Sequence, residues 1–219
     1  MSFRIPSHRK FMFATLVAMT LGGVIQHVQA ATEVQYQAAL KHFMAGDSDK
    51  TEIKKAYQAF DALRAEEPSD PVLLVYTGAA HTWMATTESD PMAMLTLVDD
   101  GVAQIEKAVS LLKPSHDAVS YGHEPASLMV RFTAANTFLN LPDTFHKGPR
   151  AAKLLDDGIK SPAFGKASPE FQGNVLMLAA QRAKKIKQAS LARQYANAVI
   201  SKKLPQANDA QALLNKLEN

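Results

Sequence analysis

Apolar residues along most of the chain recur every three or four positions, which is the spacing of one face of an α-helix. Ala56, Phe60 and Leu63 stand at i, i+4 and i+7 and predict one such buried face. Pro68 ends this helix, because proline lacks an N–H and clashes with the preceding turn. Asp70 stands directly before another proline, a pairing that caps and begins a helix. The stretch therefore predicts two helices joined by a short turn.

The same reasoning divides the rest of the sequence into helices and turns. Helices are predicted at 32–45, 51–65, 71–87, 90–113, 124–141, 148–159, 168–185 and 191–201, and Asn208 or Asp209 is expected to cap a final one. The apolar face of the first helix is expected to include Ala39, Leu40, Phe43 and Met44. No segment alternates polar and apolar residues for long enough to predict a β-sheet. The chain is therefore predicted to be all-α.

The sequence also repeats a two-helix unit. Asp70-Pro71-x-x-Leu74 and Glu124-Pro125-x-x-Leu128 begin two helices alike, and each is followed by a helix with Asp-Asp-Gly, at Asp99-Asp100-Gly101 and Asp156-Asp157-Gly158. The offsets between the matching points are 54 and 57 residues. Such repetition is expected of stacked helical units that share a continuous core.

The residues around the first join resemble the signature of the tetratricopeptide repeat (TPR) family. The small residue Ala56 precedes Phe60 by four positions, Pro68 closes the helix, and Leu74 and Gly78 follow four apart. The resemblance implies an array of antiparallel helical hairpins, an α-solenoid, in which the last helix caps the C-terminal end.

The spacing of the prolines departs from the regular TPR pattern. The second helices close at Pro68, Pro114, Pro162 and Pro205, in steps of 46, 48 and 43 residues, against about 34 in a standard repeat. The repeats are therefore expected to be long and irregular. HEAT-like or irregular hairpins stay open as alternatives, as does an unrelated all-α bundle.

The first thirty residues have the pattern of a secretory signal peptide. Three basic residues within positions 4–10 precede an apolar segment, and small residues occupy the −3 and −1 positions before Ala31. This pattern predicts export with cleavage between Ala30 and Ala31, which places the protein in the periplasm or outside the cell. An uncleaved anchor is the alternative, although the apolar segment is short for a membrane span. Residues 31–219 are expected to form one domain.

Charge is distributed unevenly along the chain. The formal net charge is +3, but the predicted signal peptide holds three of the 24 Lys and Arg residues and no acid, so residues 31–219 are neutral. Residues 31–110 carry 6 basic and 13 acidic groups, a net charge of −7, whereas residues 111–219 carry 15 and 8, a net charge of +7. An array laid out in chain order would be electrically polar from end to end. The absence of cysteine excludes disulfides, thiol chemistry and a lipid-anchored lipoprotein.

The densest basic run lies near the C-terminus, with no acid from 181 to 203. Its members include Arg182, Lys184, Lys185, Lys187 and Arg193. This run is a candidate docking patch for an acidic partner or anionic lipid, and the alternative is an ordinary solvated helix face. Nucleic acid is not an expected partner, since the chain has no platform that combines aromatic and basic residues.

The sequence offers little that suggests catalysis. Neighbouring residues on a helix point about 100° apart, so the two carboxylates of an Asp-Asp pair cannot both contact one substrate. The histidines lack the i, i+4 spacing of a helical zinc site, although His116-Asp117 and His123-Glu124 bracket one loop where a metal could bind. Phosphate-binding loops and nucleophile motifs are missing. We therefore predict no enzymatic activity, no cofactor and no metal site.

Residues suited to binding fall on the predicted first helices of the hairpins. The TPR resemblance implies that these helices line a concave groove, which would place Tyr76, His81, Trp83, Arg131 and Asn136 near it. Tyr, Trp and Arg dominate interface hot spots. The alternative is that Tyr76 and Trp83 are core residues and that Arg131 pairs with a nearby acid. A set of methionines offers an adaptable apolar pocket or simply fills the core: Met84, Met92, Met94, Met129 and Met177.

These observations favour an exported scaffold or adaptor that binds a protein or peptide through its helical surface. A carrier or transport-accessory protein with a small apolar or anionic ligand in a closed helical cavity is the alternative, and an enzyme is a third. The sequence does not identify the partner.

Overall fold

A computed structural model describes residues 18–118 and 121–217, with side chains described from Thr32 onward. Nine α-helices occur within this part of the chain: α1 (Ala18–Ala45), α2 (Thr51–Glu66), α3 (Pro71–Met84), α4 (Pro91–Ser110), α5 (Ala126–Asn140), α6 (Gly148–Lys160), α7 (Pro169–Lys185), α8 (Ala189–Ser201) and α9 (Ala207–Asn215). Short 3₁₀ turns lie between several of them, and the described residues contain no β-strand. The predicted all-α class is confirmed.

Side-chain caps fix the beginnings of three helices as the sequence predicted. Asp70 accepts hydrogen bonds from the N–H groups of Val72 at 2.7 Å and Leu73 at 3.0 Å. Asp90 accepts one from the N–H of the second residue of α4, and Ser168 caps α7 in the same manner. A proline follows each cap in the first helical position, where its missing N–H leaves no hydrogen bond unmade.

Several boundaries differ from the prediction by a few residues, such as the end of α3 and the beginnings of α5 and α8, and three differences have a clear description. Helix α1 is already helical at Ala18, the first described residue, and it continues through the expected cleavage site and the predicted beginning at Thr32; residues 1–17 of the predicted signal peptide lie outside the described residues. Helix α4 ends at Ser110 because Lys113, which precedes a proline, is extended, and the residue before proline disfavours helical dihedrals. Helix α9 begins at Ala207, with Gln206 at the cap position instead of Asn208 or Asp209.

The helices pack in chain order, and α3 lies at the centre of the first half. Every residue from 71 to 80 is buried, because α3 packs on α2, α4 and α5 together. Ala56, Phe60 and Leu63 form the buried face predicted for α2. The expectation that Met44 is buried is wrong: its neighbour Phe43 points at the rings of α3, and Met44 is 67% exposed.

Ring contacts show that alternate helices run in the same direction. Tyr36 and Phe43 of α1 contact Tyr76 and Trp83 of α3 in the same order along both helices. The beginnings of α3 and α5 line one small cavity. Phe132 in the middle of α5 contacts Phe171 near the beginning of α7, and Asp143 in the turn after α5 approaches Lys185 at the end of α7, so these two helices are parallel as well. The turns that follow α1, α3, α5 and α7 therefore share one edge of the molecule.

Two glycines bring α3 and α4 into close contact. A Cβ atom on Gly78 would lie 2.7 Å from the carbonyl oxygen of Gly101, and one on Gly101 would lie 2.6 Å from the carbonyl oxygen of Gly78. The hydroxyl of Thr82 occupies the remaining space and donates to the Gly78 carbonyl at 2.9 Å. Only residues without a side chain fit this crossing. The close contact of α3 and α4 thus explains why glycine stands at position 78 and in the first Asp-Asp-Gly segment.

Candidate functional site

An open groove lies between α5, α7 and α9 and is the candidate functional site. Its volume is about 730 Å³. The lining residues come from three helices that are not consecutive in the chain: Phe132, Asn136, Asn174, Met177, Leu178, Gln181, Lys184, Lys185, Gln206, Asp209, Ala212, Leu213 and Lys216.

Gln206 sets the position of α9 beside α7. Its side-chain Nε2 donates to the carbonyl oxygen of Glu170 at 3.1 Å and to Oδ1 of Asn174 at 2.8 Å. Gly173 makes room for this contact, since a Cβ atom there would lie 1.6 Å from Oε1 of Gln206. The beginnings of α7 and α9 are thereby joined, and the two helices form opposite walls of the groove.

The floor of the groove is apolar. Met177 and Leu213 are buried, while Phe132 and Leu178 are half-buried at the surface. The ring of Phe132 is braced edge-to-face by Phe171, with the ring centroids 5.2 Å apart. A ligand placed here gains contact with apolar surface that is already ordered.

Exposed amide side chains line the walls above this floor. Asn136 stands on α5, and Asn174 and Gln181 stand on α7. An amide group both donates and accepts hydrogen bonds, so it can pair with the N–H and C=O groups of a polypeptide main chain. The amide walls and the apolar floor together suit a bound polypeptide whose main chain lies along the walls and whose apolar side chains lie on the floor.

Three lysines gather at one end of the groove. Lys184 follows Asn174 by ten residues and Lys216 follows Gln206 by ten, which places both about 15 Å from the joined beginnings of α7 and α9. Lys185 stands beside them, with its Nζ 3.9 Å from the exposed carboxylate of Asp143. Among the lining residues the acid is Asp209, which lies nearer the opposite end. The groove is therefore positive at one end.

The predicted basic patch is distributed over several surfaces. Lys184 and Lys185 line the groove, and Lys187 lies in the turn after α7 with a left-handed φ of 61°. Arg182 is partly buried and approaches Tyr195 of α8. Arg193 donates from Nη2 to the carbonyl oxygen of Leu217 at 2.8 Å. The surfaces differ because these positions point in different directions around their helices.

The five residues predicted to line a groove also lie apart. Tyr76 is buried and stacks on Phe60 with the centroids 5.0 Å apart, and Trp83 contacts Phe43 edge-to-face at 5.3 Å. His81 stacks on Tyr57 of α2, and Arg131 donates to the carbonyl oxygen of Ser127 at 3.2 Å, close to α6. Asn136 lines the groove between α5, α7 and α9. Binding by any of the five stays a prediction.

His81 occupies a polar pocket between α2 and α4. Burial lowers its pKa, although the nearby carboxylates of Asp100 and Asp61 act in the opposite direction. Its buried Nδ1 has no hydrogen-bond partner among the described residues. The ring is stacked 4.7 Å from that of Tyr57, so its place is fixed without a hydrogen bond at Nδ1.

The turn before α5 folds back on α1 and α3. Tyr121 stacks on Tyr36 with the centroids 4.6 Å apart, and its hydroxyl donates to Asp70 at 3.1 Å. The N–H of Gly122 donates to Oε1 of Glu33 at 3.1 Å, with Gly122 at a positive φ of 63°. Burial raises the pKa of the Tyr121 hydroxyl well above its ordinary value. This contact covers part of the surface formed by α1 and α3.

Several of the residues considered for chemistry make ordinary structural contacts. Asp156 and Asp157 pair with lysines one helical turn away, and the ring of His116 accepts from the N–H of Lys113. Within the described ranges, no three His, Asp or Glu side chains are grouped closely enough to hold a metal ion. The described helices include none that is both long and apolar enough to cross a membrane.

No protein-family model matches this chain, and neither a curated protein nor a solved structure is similar enough to count as a match. Sequence reasoning missed the contribution of α9 to the groove. One signal was present in the sequence: Gly173 stands inside a helix, where glycine is unfavourable unless something packs closely against it.

Proposed function

We propose that this protein is an irregular TPR-like helical array that binds an extended polypeptide segment in the groove between α5, α7 and α9. The observation that carries the proposal is the composition of the groove. An apolar floor lies below exposed amides that can pair with a main chain, and the groove is open rather than enclosed. Such a protein acts as a scaffold or adaptor.

The dimensions of the groove limit the length of segment that it holds. From Asn174 to Lys184 the wall formed by α7 is about 15 Å long. An extended chain advances about 3.3 Å per residue, so about four or five residues fit. The lysines at one end favour a segment with an acidic residue or a carboxylate at that end. The groove thus distinguishes the two directions of the bound chain.

A random peptide library presented to the purified protein tests this function. We expect enrichment of short segments that carry acidic residues at one end and apolar residues before it. Replacing Lys184 and Lys216 by glutamine should weaken the acidic preference, because two of the three lysines at that end are lost. Lys202→Gln with Lys203→Gln is the matched control, since these lysines are exposed in the turn after α8 and do not line the groove.

A library that yields no enriched segment, or an enrichment that the groove variant leaves unchanged, contradicts the proposal. Native mass spectrometry of the purified protein tests the alternative of a small-ligand carrier. A bound molecule of small mass that Leu178→Glu displaces would favour the carrier, because Leu178 lies on the floor of the groove.

Export remains part of the proposed function. It is supported by the basic and apolar pattern of the first thirty residues and by the small residues before Ala31. N-terminal sequencing of protein recovered from the periplasm or the medium is expected to begin at Ala31. A sequence beginning at Met1 would point to a retained anchor instead.

A further inference from the structure

The groove between α5, α7 and α9 has two helical walls that run in the same direction. Gln206 of α9 contacts Asn174 of α7, and the lining residues ten positions further along the two helices are Lys216 and Lys184. A helix advances about 1.5 Å per residue, so both lysines lie about 15 Å from the joined beginnings. Corresponding positions on the two walls therefore face the same part of a bound chain.

Both walls carry their side chains in the same chemical order. Along α7 the groove face has an amide, two apolar residues, an amide and two lysines: Asn174, Met177, Leu178, Gln181, Lys184 and Lys185. Along α9 it has an acid, two apolar residues and a lysine: Asp209, Ala212, Leu213 and Lys216. Residues three or four apart share one face of a helix, so each set forms a continuous wall. The groove thus changes from amide and acidic, through apolar, to basic.

The charged groups at the two ends of the groove are available to a ligand. Asp209 and Lys216 are exposed and Lys184 is half-buried, and within residues 32–118 and 121–217 none of the three takes part in an ion pair. The Nζ of Lys185 lies 3.9 Å from a carboxylate oxygen of Asp143, whose side chain is 96% exposed. Such a solvated pair is weak, so Lys185 can turn to a bound anion.

The lysine end suits the free carboxylate that ends a polypeptide chain. Gln181 lies about one helical turn before Lys184 and Lys185 on the same wall. A main chain paired with the wall amides therefore reaches the lysines with its own next atoms. At a C-terminus those atoms are a carboxylate, whereas the side chains of an extended segment point alternately away from the line of the main chain. Several ammonium groups around one carboxylate give charge-assisted hydrogen bonds.

Asp209 is placed to contact a positive charge earlier in the same segment. It precedes Lys216 by seven residues on α9, a distance of about 10 Å along the groove. An extended chain covers that distance in about three residues. A lysine or arginine side chain about three residues before the terminal carboxylate can therefore donate to Asp209, and the residues between them lie over the apolar middle of the groove.

We propose that the groove binds the C-terminal segment of a partner polypeptide, with the terminal carboxylate at the three lysines and a basic residue beside Asp209. The inference rests on the proposed function, because it specifies which kind of segment the groove holds. The segment lies with its C-terminus at the ends of α7 and α9. An internal segment with an acidic side chain makes only part of these contacts and binds more weakly.

A synthetic library of N-acetylated peptides, randomised near the C-terminus, tests the proposal in two chemical forms. One form ends in a free carboxylate and the other in a carboxamide, and the purified protein captures peptides from each for identification by mass spectrometry. We expect capture of the free-carboxylate form to be about tenfold stronger, since the amide loses the charge-assisted contacts. Captured peptides should be enriched in lysine or arginine about three residues before the terminus.

Variants of the groove separate the roles of its two ends. Lys184→Gln with Lys216→Gln should reduce the difference between the two forms, and Lys202→Gln with Lys203→Gln is the matched control outside the groove lining. Asp209→Lys should replace the preference for a basic residue by one for an acidic residue. Asp209 also lies in the first turn of α9, where an acid stabilises the helix, but a weaker helix does not reverse a charge preference.

Thermal unfolding followed by circular dichroism confirms that each variant is folded, and Asp209→Asn, which should abolish the basic preference, replaces a reversal variant that fails to fold. Equal capture of the two peptide forms overturns the proposal and leaves the proposed function intact, because segments then bind without their terminus. Capture of neither form contradicts both. A basic preference that Asp209→Lys leaves unchanged overturns the place of Asp209, and a carboxylate preference that the control variant weakens equally overturns the site in the groove.

Discussion

Glycine at positions 78 and 101 sets the distance between α3 and α4. Because each carbonyl oxygen occupies the place where the other residue would carry a Cβ atom, no rotamer change relieves a substitution there. The backbone of one helix would have to move. Thr82 belongs to the same contact, and its hydroxyl lies where a side chain on Gly101 would begin.

Gly78→Leu is therefore expected to lower the free energy of unfolding by about 1–3 kcal/mol, the usual range for overpacking. For a domain of this size the melting temperature should fall by about 2–4 °C per kcal/mol. Thermal unfolding followed by circular dichroism measures the change. Gly165→Leu is the control, because a Cβ atom at Gly165 has no neighbour within 4 Å. Equal melting temperatures for the two variants would show that the crossing tolerates a side chain.

His81 makes stability depend on pH. Burial lowers its pKa below the ordinary value of about 6.5, so between the two values the unfolded chain binds a proton that the folded chain does not. The contribution of the neutral His81 ring to the free energy of unfolding is therefore complete above about pH 6.5. It decreases as the pH falls towards the lowered pKa of the folded protein. The charged groups facing the ring are Asp61 from α2 and Asp100 from α4, and Tyr57 stacks on it.

His81→Phe keeps the stacked ring and removes the titration. We expect the variant to lose less stability than the wild type as the pH is lowered from 7 through about 6.5 and below. Urea unfolding at a series of pH values gives the two curves. The difference between them isolates His81 from the other histidines, and curves that stay parallel would mean that this ring does not titrate on unfolding.

At the scale of the element, helix beginnings were predictable and helix surroundings were not. Asp70, Asp90 and Ser168 act on N–H groups two or three residues away, so the sequence alone locates them. Whether Tyr76 faces a neighbour or a groove depends on the three helices packed around α3. A tyrosine is found both in cores and in binding grooves, so the residue type alone does not decide which of the two Tyr76 occupies.

The groove was beyond prediction for the same reason. Its walls come from α5, α7 and α9, which are separated in the chain, and the joining contact runs from Gln206 to Asn174. Arg182 and Lys184 were assigned to one basic patch, yet positions two apart on a helix point about 200° apart. Helical periodicity separates them in principle, but it does not say which one faces the groove.

Gly173→Ala tests how α9 is held. The added Cβ atom would lie 1.6 Å from Oε1 of Gln206. The flexible side chain of Gln206 can move away, but it then loses its hydrogen bonds to Glu170 and Asn174. We expect amide hydrogen exchange in α9 to increase several-fold with little change in α1–α4. Gly148→Ala is the control, since nothing lies within 4 Å of its added Cβ atom. Unchanged exchange in α9 would show that Gln206 does not hold the helix.

At the scale of the whole molecule, the sequence shows how charge is distributed along the chain, but it does not show where those charges lie in the folded protein. Counting residues gives −7 and +7 for the two parts of the chain. Only the parallel course of alternate helices shows that the turns after α1, α3, α5 and α7 share an edge. The exposed Val34 and Met44 were also unforeseen, because helical periodicity places Met44 beside residues that are buried.

The chain contains a single tryptophan, and it lies in the contact between α1 and α3. Intrinsic fluorescence excited at the indole therefore reports on the first helices alone, while circular dichroism reports on all nine described helices. In a molecule whose helices pack mainly on their neighbours, the two halves can lose structure at different temperatures. Comparing the two signals during one melt would show, without any added label, which end of the molecule opens first.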